Sequence, residues 1–374
     1  MSDPELPLTR LDDYPWHQTT EPFPHPSTAD PRFNDGYYWG FYAEGCFAYL
    51  GLRLYSNTNV MDGYGGAAVG GEQRTVRASR ALRPRVDELN VGPLRLTIQE
   101  PMQRQRIEVA ENDSGVSFDV VVEASGPPFF EVPHVHYRRG RLLNHVLRYT
   151  QLGRAQGTIT VDGKVREVDS WYACRDHSWG LRASMGPVIA LRGTEPTIGD
   201  PRAIRIWLPW EIEGQQGLFA LHEDSDGKLV DFEGVLRDRD RPEVPLVSVR
   251  HAFQYTPGTR RLERGEFAVT TAEGDEHEFS FEVVAGPLSP QGFGYVRGWK
   301  DQQPPGVYRG AEHVESDRFR IDDPHTVAGP DHVEPHRRLG VSEYPSTLRH
   351  SDGRQGMTQI EHPVFKPYHP YGLE

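Results

Sequence analysis

The stretch Cys174–Arg182, "CRDHSWGLR", sets an acid, an imidazole, an indole and two guanidinium groups into nine consecutive positions that otherwise read as a strand. Side chains alternate faces along a strand, so Arg175, His177 and Trp179 share one side and Asp176, Ser178 and Arg182 the other, unless Gly180 marks a bulge that relaxes the alternation. An aspartate in apolar surroundings keeps its proton, because desolvation disfavours the anion, and a retained proton is what a general acid donates. On that reading Asp176 is the acid, His177 an orienting or base group, and Trp179 a π face for a developing cation. The plain alternative pairs Asp176 with Arg175 or Arg182 and leaves Trp179 in the core.

Further candidates flank this stretch. Tyr149, Gln151 and Arg154 come just before Asp162-Gly163, a pair whose tolerance of positive φ signals a tight hairpin that folds their strand back beside the signature strand. Tyr149 and Gln151 share a face, where they could bind a substrate oxygen or position water. The dense aromatic run Tyr37, Tyr38, Trp39, Phe41 and Tyr42 can fill a core or line an apolar ligand site, with Tyr38 and Trp39 as candidate contacts. His134 and His136 share a strand face as metal ligands do, yet Tyr137-Arg138-Arg139-Gly140 follows with cations where a metal site would want an acid, so no metal is expected. Cys174, near Asp176 and His177, is a conceivable nucleophile, but adjacent residues on a strand point opposite ways and a reactive thiolate needs a nearby positive group, so a core thiol is expected. From the second half, spacing does not rank Trp207, Trp210, His222, Tyr295, Arg297 and Trp299.

The elements that must position these groups are strands. Only 36% of the 374 residues are hydrophobic, and 38 Gly and 31 Pro punctuate short alternating runs such as "CFAYLGLRLY", "VSFDVVVE", "GTITVDG", "AIRIWLPWEIE" and "HEFSFEVVA". No sustained helical stripe occurs, which predicts an all-β chain of antiparallel barrels, an architecture that can enclose a small ligand. The layout predicts an extended arm over 1–30, a first β domain over 31–183 with the signature at its end, and a second over 184–374. Ordered structure is expected from Phe33, and a tail from about residue 321 is expected to wrap the second domain. The run Gly63–Gly71 lacks the Lys-Ser/Thr ending and following helix of a phosphate loop, and is expected to be a flexible loop.

Composition bounds the partners. A formal charge of -13 excludes a broad nucleic-acid surface, and no apolar run approaches the span of a bilayer. The two cysteines read as reduced core thiols, and the amino terminus lacks the basic start and apolar core of a signal peptide, so a cytoplasmic protein is expected. A homodimer is compatible with the sequence.

The segment "RDHSWGLR", with the preceding "RYTQLGRAQGTITVDGKVREVDSW", resembles the motif region of the carotenoid 1,2-hydratase and AttH-like family, whose members carry an Asp-His-x-Trp-Gly signature. The resemblance implies two tandem lipocalin-like (calycin-type) barrels with the signature near their junction. It further implies that the acid matching Asp176 donates a proton, while the groups matching His177 and Trp179 shape its site. Hydratases of isoprenoid double bonds, kievitone hydratase and lipocalin-like pericyclases are among the relatives. Together these readings predict a cofactor-independent acid–base enzyme on a small hydrophobic substrate, isoprenoid, steroid-like or aromatic, first as a hydratase of a C=C bond. Tyr149, Gln151, Arg182, Tyr38 and Trp39 would bind the substrate. The alternatives are an isomerase or cyclase on the same substrates, or a non-catalytic lipid carrier.

Overall fold

Turn residues and alternating runs translate directly into strands. In the computed structural model the described residues are 10–13, 15, 20, 22–23, 25–138, 140–183, 185–187, 201–239, 242–295, 297–323, 326–328 and 342–373, and they contain strands and three short 3-10 turns but no α-helix. Most of the expected arm over 1–30 lies outside them. The first half supplies β1 (Phe33–Ala43), β2 (Cys46–Tyr55), β3 (Val60–Val69), β4 (Glu72–Ala81), β5 (Asn90–Val91) and β6 (Leu94–Glu100). It continues with β7 (Arg104–Val109), β8 (Val116–Ala124), β9 (Phe129–Phe130), β10 (His134–Arg138), β11 (Arg141–Val161) and β12 (Lys164–Leu181). The second half supplies β13 (Ile204–Ile212), β14 (Gln215–Glu223), β15 (Leu229–Asp238), β16 (Val244–Tyr255) and β17 (Leu262–Thr271). It ends with β18 (Glu276–Val283), β19 (Glu312–Asp323), β20 (Thr326–Ala328), β21 (Glu343–His350) and β22 (Gln355–Glu361). No helix among the described residues is long and apolar enough to cross a membrane.

Strands β13 to β18 with β21 and β22 close into an eight-stranded barrel. The other fourteen form one curled sheet in the order β20-β19-β4-β3-β2-β1-β12-β11-β8-β7-β6-β5, with β9 and β10 added along β11. Its curl is tight enough that a Cβ at Gly63 would lie 2.7 Å from Val91 Cγ1 and one at Gly65 2.8 Å from Leu94 Cδ2, so β3 closes against the far end of its own sheet. The architecture is thus two antiparallel, lipocalin-like β-barrels, one closed and one nearly so. The glycine run expected to be a flexible loop is instead mostly β3, a buried strand whose Gly63, Gly65 and Gly66 make room for what faces them, and only Gly70 and Gly71 lie in the turn that follows. The Asp162-Gly163 hairpin joins β11 to β12 with φ of 48° and 74°, the paired positive values of a tight primed turn.

Two segments of the second half differ from the layout read from sequence. Strands β19 and β20 leave their own half and complete the first sheet, β19 pairing with β4 from Glu312↔Arg80 to Arg320↔Glu72. Strands β21 and β22, expected as a wrapping tail, are two staves of the closed barrel. Among the described residues the largest apolar clusters are three. One fills the first barrel around Trp39, Phe41 and Trp171, and one fills the second around Trp210, Phe219 and Phe267. The third lies between the sheets, with Tyr42, Phe47 and Tyr172 of the first facing Trp207 and Leu218 of the second. Tyr42 crosses that seam and donates its hydroxyl to the Thr358 carbonyl at 2.5 Å. Cys46 and Cys174 are both buried free thiols.

Candidate active site at the junction of the two sheets

β12 lies between β1 and β11, and its register with both is unbroken from Tyr172 to Leu181. Gly180 has a φ of 124° yet still pairs with Asn34 and Val146, so it introduces no bulge and the alternation of faces holds. The signature is therefore divided. Asp176 falls on the face of Tyr172 and Cys174, toward the second barrel, whereas His177 and Trp179 fall on the face of Trp171 and Ala173, toward the first barrel's own interior. The single site expected from Asp176, His177 and Trp179 together does not form, because strand geometry sends an aspartate and its neighbours one residue away to opposite sides.

The interior-facing group is a hydrogen-bonded cluster. His177 Nε2 lies 2.7 Å from Asp35 Oδ1 and its Nδ1 3.2 Å from the Tyr149 hydroxyl, while its ring packs 5.3 Å from Trp179. Gln151 is fully engaged: its amide donates to the Met102 and Gly126 carbonyls at 2.9 and 2.8 Å, and its Oε1 accepts from Arg175 Nε at 2.9 Å. Trp39 is completely buried in the first core. Thus Tyr149, Gln151 and Trp39 keep company with His177 and Trp179, and only Tyr38 and Arg182 of the expected ligand contacts accompany Asp176.

The junction face holds a different constellation. Asp176 pairs across the strands with Tyr38 of β1 and Thr150 of β11. Its Oδ1 is buried and has no hydrogen-bond partner among the described residues. Burial pushes its carboxyl above the ordinary aspartate range, against the pull of Arg148, Arg53 and Arg182 and with a smaller upward push from Glu131. Arg148 is clamped by Glu131 through Nε at 2.9 Å and Nη2 at 2.5 Å, and Thr150 Oγ1 donates to the same carboxylate at 2.5 Å. Tyr64 and Phe293 stack with centroids 4.6 Å apart, and Tyr64 feels both Asp176 and Arg53.

The second barrel contributes a residue that the sequence reading did not single out. Glu343 of β21 accepts the Tyr38 hydroxyl at 2.5 Å and the Gln359 amide at 2.8 Å, both on Oε2, leaving Oε1 unbonded among the described residues. A Cβ on Gly40 would stand 2.7 Å from Gln359 Oε1, so that glycine is what lets the amide reach its place. Burial pushes Glu343 up to about 8, aided by Glu361 and Asp176, while the bonds from Tyr38 and Gln359 pull the other way. Glu361, directly opposite Glu343 in the β21–β22 ladder, is also pushed up by burial, but Arg205, Arg148 and Arg182 outweigh this and hold it below its usual range. Two adjacent glutamates are thereby split into a proton holder and an anion. Because the folded chain retains the Glu343 proton beyond the unfolded one, stability should fall as pH rises from 4.5 to about 8. Glu343→Gln should flatten that decline, as read by urea denaturation across the range; an unchanged slope would assign the proton elsewhere.

Other possibilities are weaker. Burial pushes the Cys174 thiol well up, which removes it as a nucleophile. Among the described residues no group of three or more His, Cys, Asp and Glu is placed to share a metal, and His134 is near Asn144 instead. An open groove of about 550 Å³ crosses β16 to β18 and β21, but its histidines are occupied, His251 by Tyr371 and Glu223 and His350 by Asp352.

A family model described as "Family of unknown function (DUF8625)" matches residues 8–374. No curated protein matches the sequence. Among solved structures the chain is similar to a candidate AttH from Nitrosomonas europaea, at 11% identity and a TM-score of 0.54, over 94% of this chain and 98% of that one. Kievitone hydratase from Nectria haematococca aligns at 11% identity and a TM-score of 0.44, over 88% and 89% of the two chains. At such identity the first likeness establishes a shared fold, that of AttH-like proteins, and nothing about the reaction.

Proposed function

The chain belongs to DUF8625, a family of unknown function, and for it we propose cofactor-independent acid–base chemistry on an apolar substrate held between the two sheets, with hydration or dehydration of a carbon–carbon double bond as the reaction. The observation that carries this reading is Asp176: a carboxyl facing the junction, raised by burial, with a buried oxygen that bonds to no described residue. A buried carboxyl oxygen without a partner calls for an explanation, and a catalytic role is one that also accounts for the raised acid.

The neutral acid gives its proton to one alkene carbon, water adds to the other, and the Asp176 carboxylate recovers a proton from the added water. Dehydration runs the same steps backwards. Tyr64 and Phe293 take the place expected of Trp179 as the wall against the substrate. Arg53, Arg148 and Arg182 oppose positive charge on the substrate. An alkene conjugated to a carbonyl therefore suits the site better than an isolated isoprenoid double bond: water adds at its β carbon, negative charge develops on the carbonyl oxygen, Asp176 gives its proton to the α carbon, and the resulting carboxylate takes a proton from the added water. Isomerisation and cyclisation begin with the same proton transfer and use the same group.

The test is incubation with a panel of apolar enones, isoprenoid alkenes and their hydrates in ¹⁸O-labelled water, followed by mass spectrometry. Incorporation of one labelled water, favouring the conjugated members, is the expected result. A panel untouched in labelled water and in D2O, with ligand retained by the purified protein, would instead make this chain a carrier.

A further inference from the structure

The charges around Asp176 do not balance among the described residues. Arg148 is paired with Glu131 and Arg205 with Glu361. Arg53, only 6% exposed, is held by neutral partners alone, Asn34 Oδ1 at 2.5 Å and Ser178 Oγ at 3.1 Å. Arg182, half-buried just past the end of β12, interacts with Arg53, Arg148, Tyr295 and Asp176, and its guanidinium makes no ion pair or hydrogen bond with a described residue. A buried guanidinium offers five donors and is costly without a counter-ion. The acid that interacts with both is Asp176, and it is not within ion-pair distance of either. Two cations short of an anion, beside an aromatic wall, describe a place where the missing charge comes with the ligand.

We propose that the junction binds apolar monocarboxylates, the ligand's carboxylate lying between Arg53 and Arg182 and its apolar body against Tyr64 and Phe293. This rests on Asp176 being the acid of the proposed reaction and adds the class of substrate. A monoanion fits better than a phosphate dianion, because Glu131, Glu361 and Glu343 already border the same space. The arriving carboxylate takes over the role of counter-ion, so Asp176 binds a proton wherever it had been ionised. The groups facing it are Arg53 from β2, Tyr64 from β3, Arg148 from β11, Arg182 and Cys174 from its own strand and its end, Glu131, and Glu343 from β21. Of these acids, Asp176 meets the new anion most directly, since it already interacts with both arginines.

Isothermal titration with 4-phenylbutanoate and with its neutral amide tests this. The carboxylate should bind about tenfold or more tightly than the amide, the worth of a charge-assisted hydrogen bond. Titration at pH 8 in two buffers of different ionisation enthalpy should show net proton uptake. Arg182→Gln should abolish the preference while leaving the melting temperature near wild type, since that side chain makes no bond to described residues. Should Arg182→Gln fail to fold, the comparison of the two ligands on the wild-type chain still decides. Equal affinities, no saturation by the carboxylate at millimolar concentration, or a preference that survives Arg182→Gln would overturn the proposal. Equal affinities together with labelled-water incorporation would remove the anionic head and keep the acid; a carboxylate preference with no turnover anywhere in the panel would do the reverse.

Discussion

Asp176→Asn is expected to lower turnover of the hydrated panel member by roughly a hundred- to ten-thousandfold, the range that a positioned general acid supplies, while leaving the melting temperature close to that of the wild type. The amide keeps the shape of the acid, and among the described residues no hydrogen bond to Oδ1 exists to be lost. Affinity should survive as well, because apolar walls supply most of it. Were Asp176 instead the buried ionic partner of Arg175 or Arg182, the exchange would strand a cation and cost about 3–5 kcal/mol. The geometry opposes that alternative. Arg175 lies on the other face of β12 and is bonded to Gln151, and Arg182 makes no ion pair with Asp176. A large fall in stability with activity per folded molecule unchanged would contradict the acid role.

Arg77→Met is expected to cost about 3–5 kcal/mol in urea denaturation, the penalty of leaving buried charge unpaired. Arg77 is fully buried, donates to Glu315 Oε1 from Nε at 3.0 Å and Nη2 at 2.7 Å, and also pairs with Asp317. Removing it leaves two carboxylates, 3% and 4% exposed, without that cation. This triad fastens β19 onto β4 and so ties the second half of the chain to the first sheet. Arg77 Nη1 also reaches the Gly292 carbonyl at 3.3 Å, next to Phe293, so the variant should weaken ligand binding at the junction along with stability. A loss below about 1 kcal/mol, the worth of an exposed pair, would mean that the triad is open to solvent.

Much of the fold could be read from local pattern, because a half-buried strand writes its period of two into the sequence and tight turns demand particular residues. Phe33 as the start of β1 and Asp162-Gly163 as the β11–β12 hairpin are examples. The glycine run of β3 escaped that logic, since its residues are fixed by what faces them, Val91, Leu94 and the backbone at Arg74, all set by long-range packing. Strand β19 was equally hidden: nothing local in its sequence says which sheet it joins.

The site divides along the same line. Alternation alone places Asp176 opposite His177 and Trp179, and the continuous register bears that out, whereas grouping the three into one centre required Gly180 to bend the strand. Arg53 sits in an ordinary strand pattern, "GLRLY", and its face would be a solvent face in a single-sheet protein. It becomes a buried cation only because a second barrel covers that face. Glu343 lies in a stretch read as a tail, and the side chains bonded to it come from β1 and β22, which no local pattern links to it.

The measurement that bears most directly on the central claim is a ¹³C NMR titration of the Asp176 carboxyl carbon, assigned by its disappearance in Asp176→Asn. The account predicts a midpoint above the ordinary aspartate value of 3.8, and a further upward displacement when 4-phenylbutanoate is bound. A midpoint at or below that ordinary value, unmoved by the ligand, would mean that the three arginines hold Asp176 as a permanent anion, and the junction would have no acid to give.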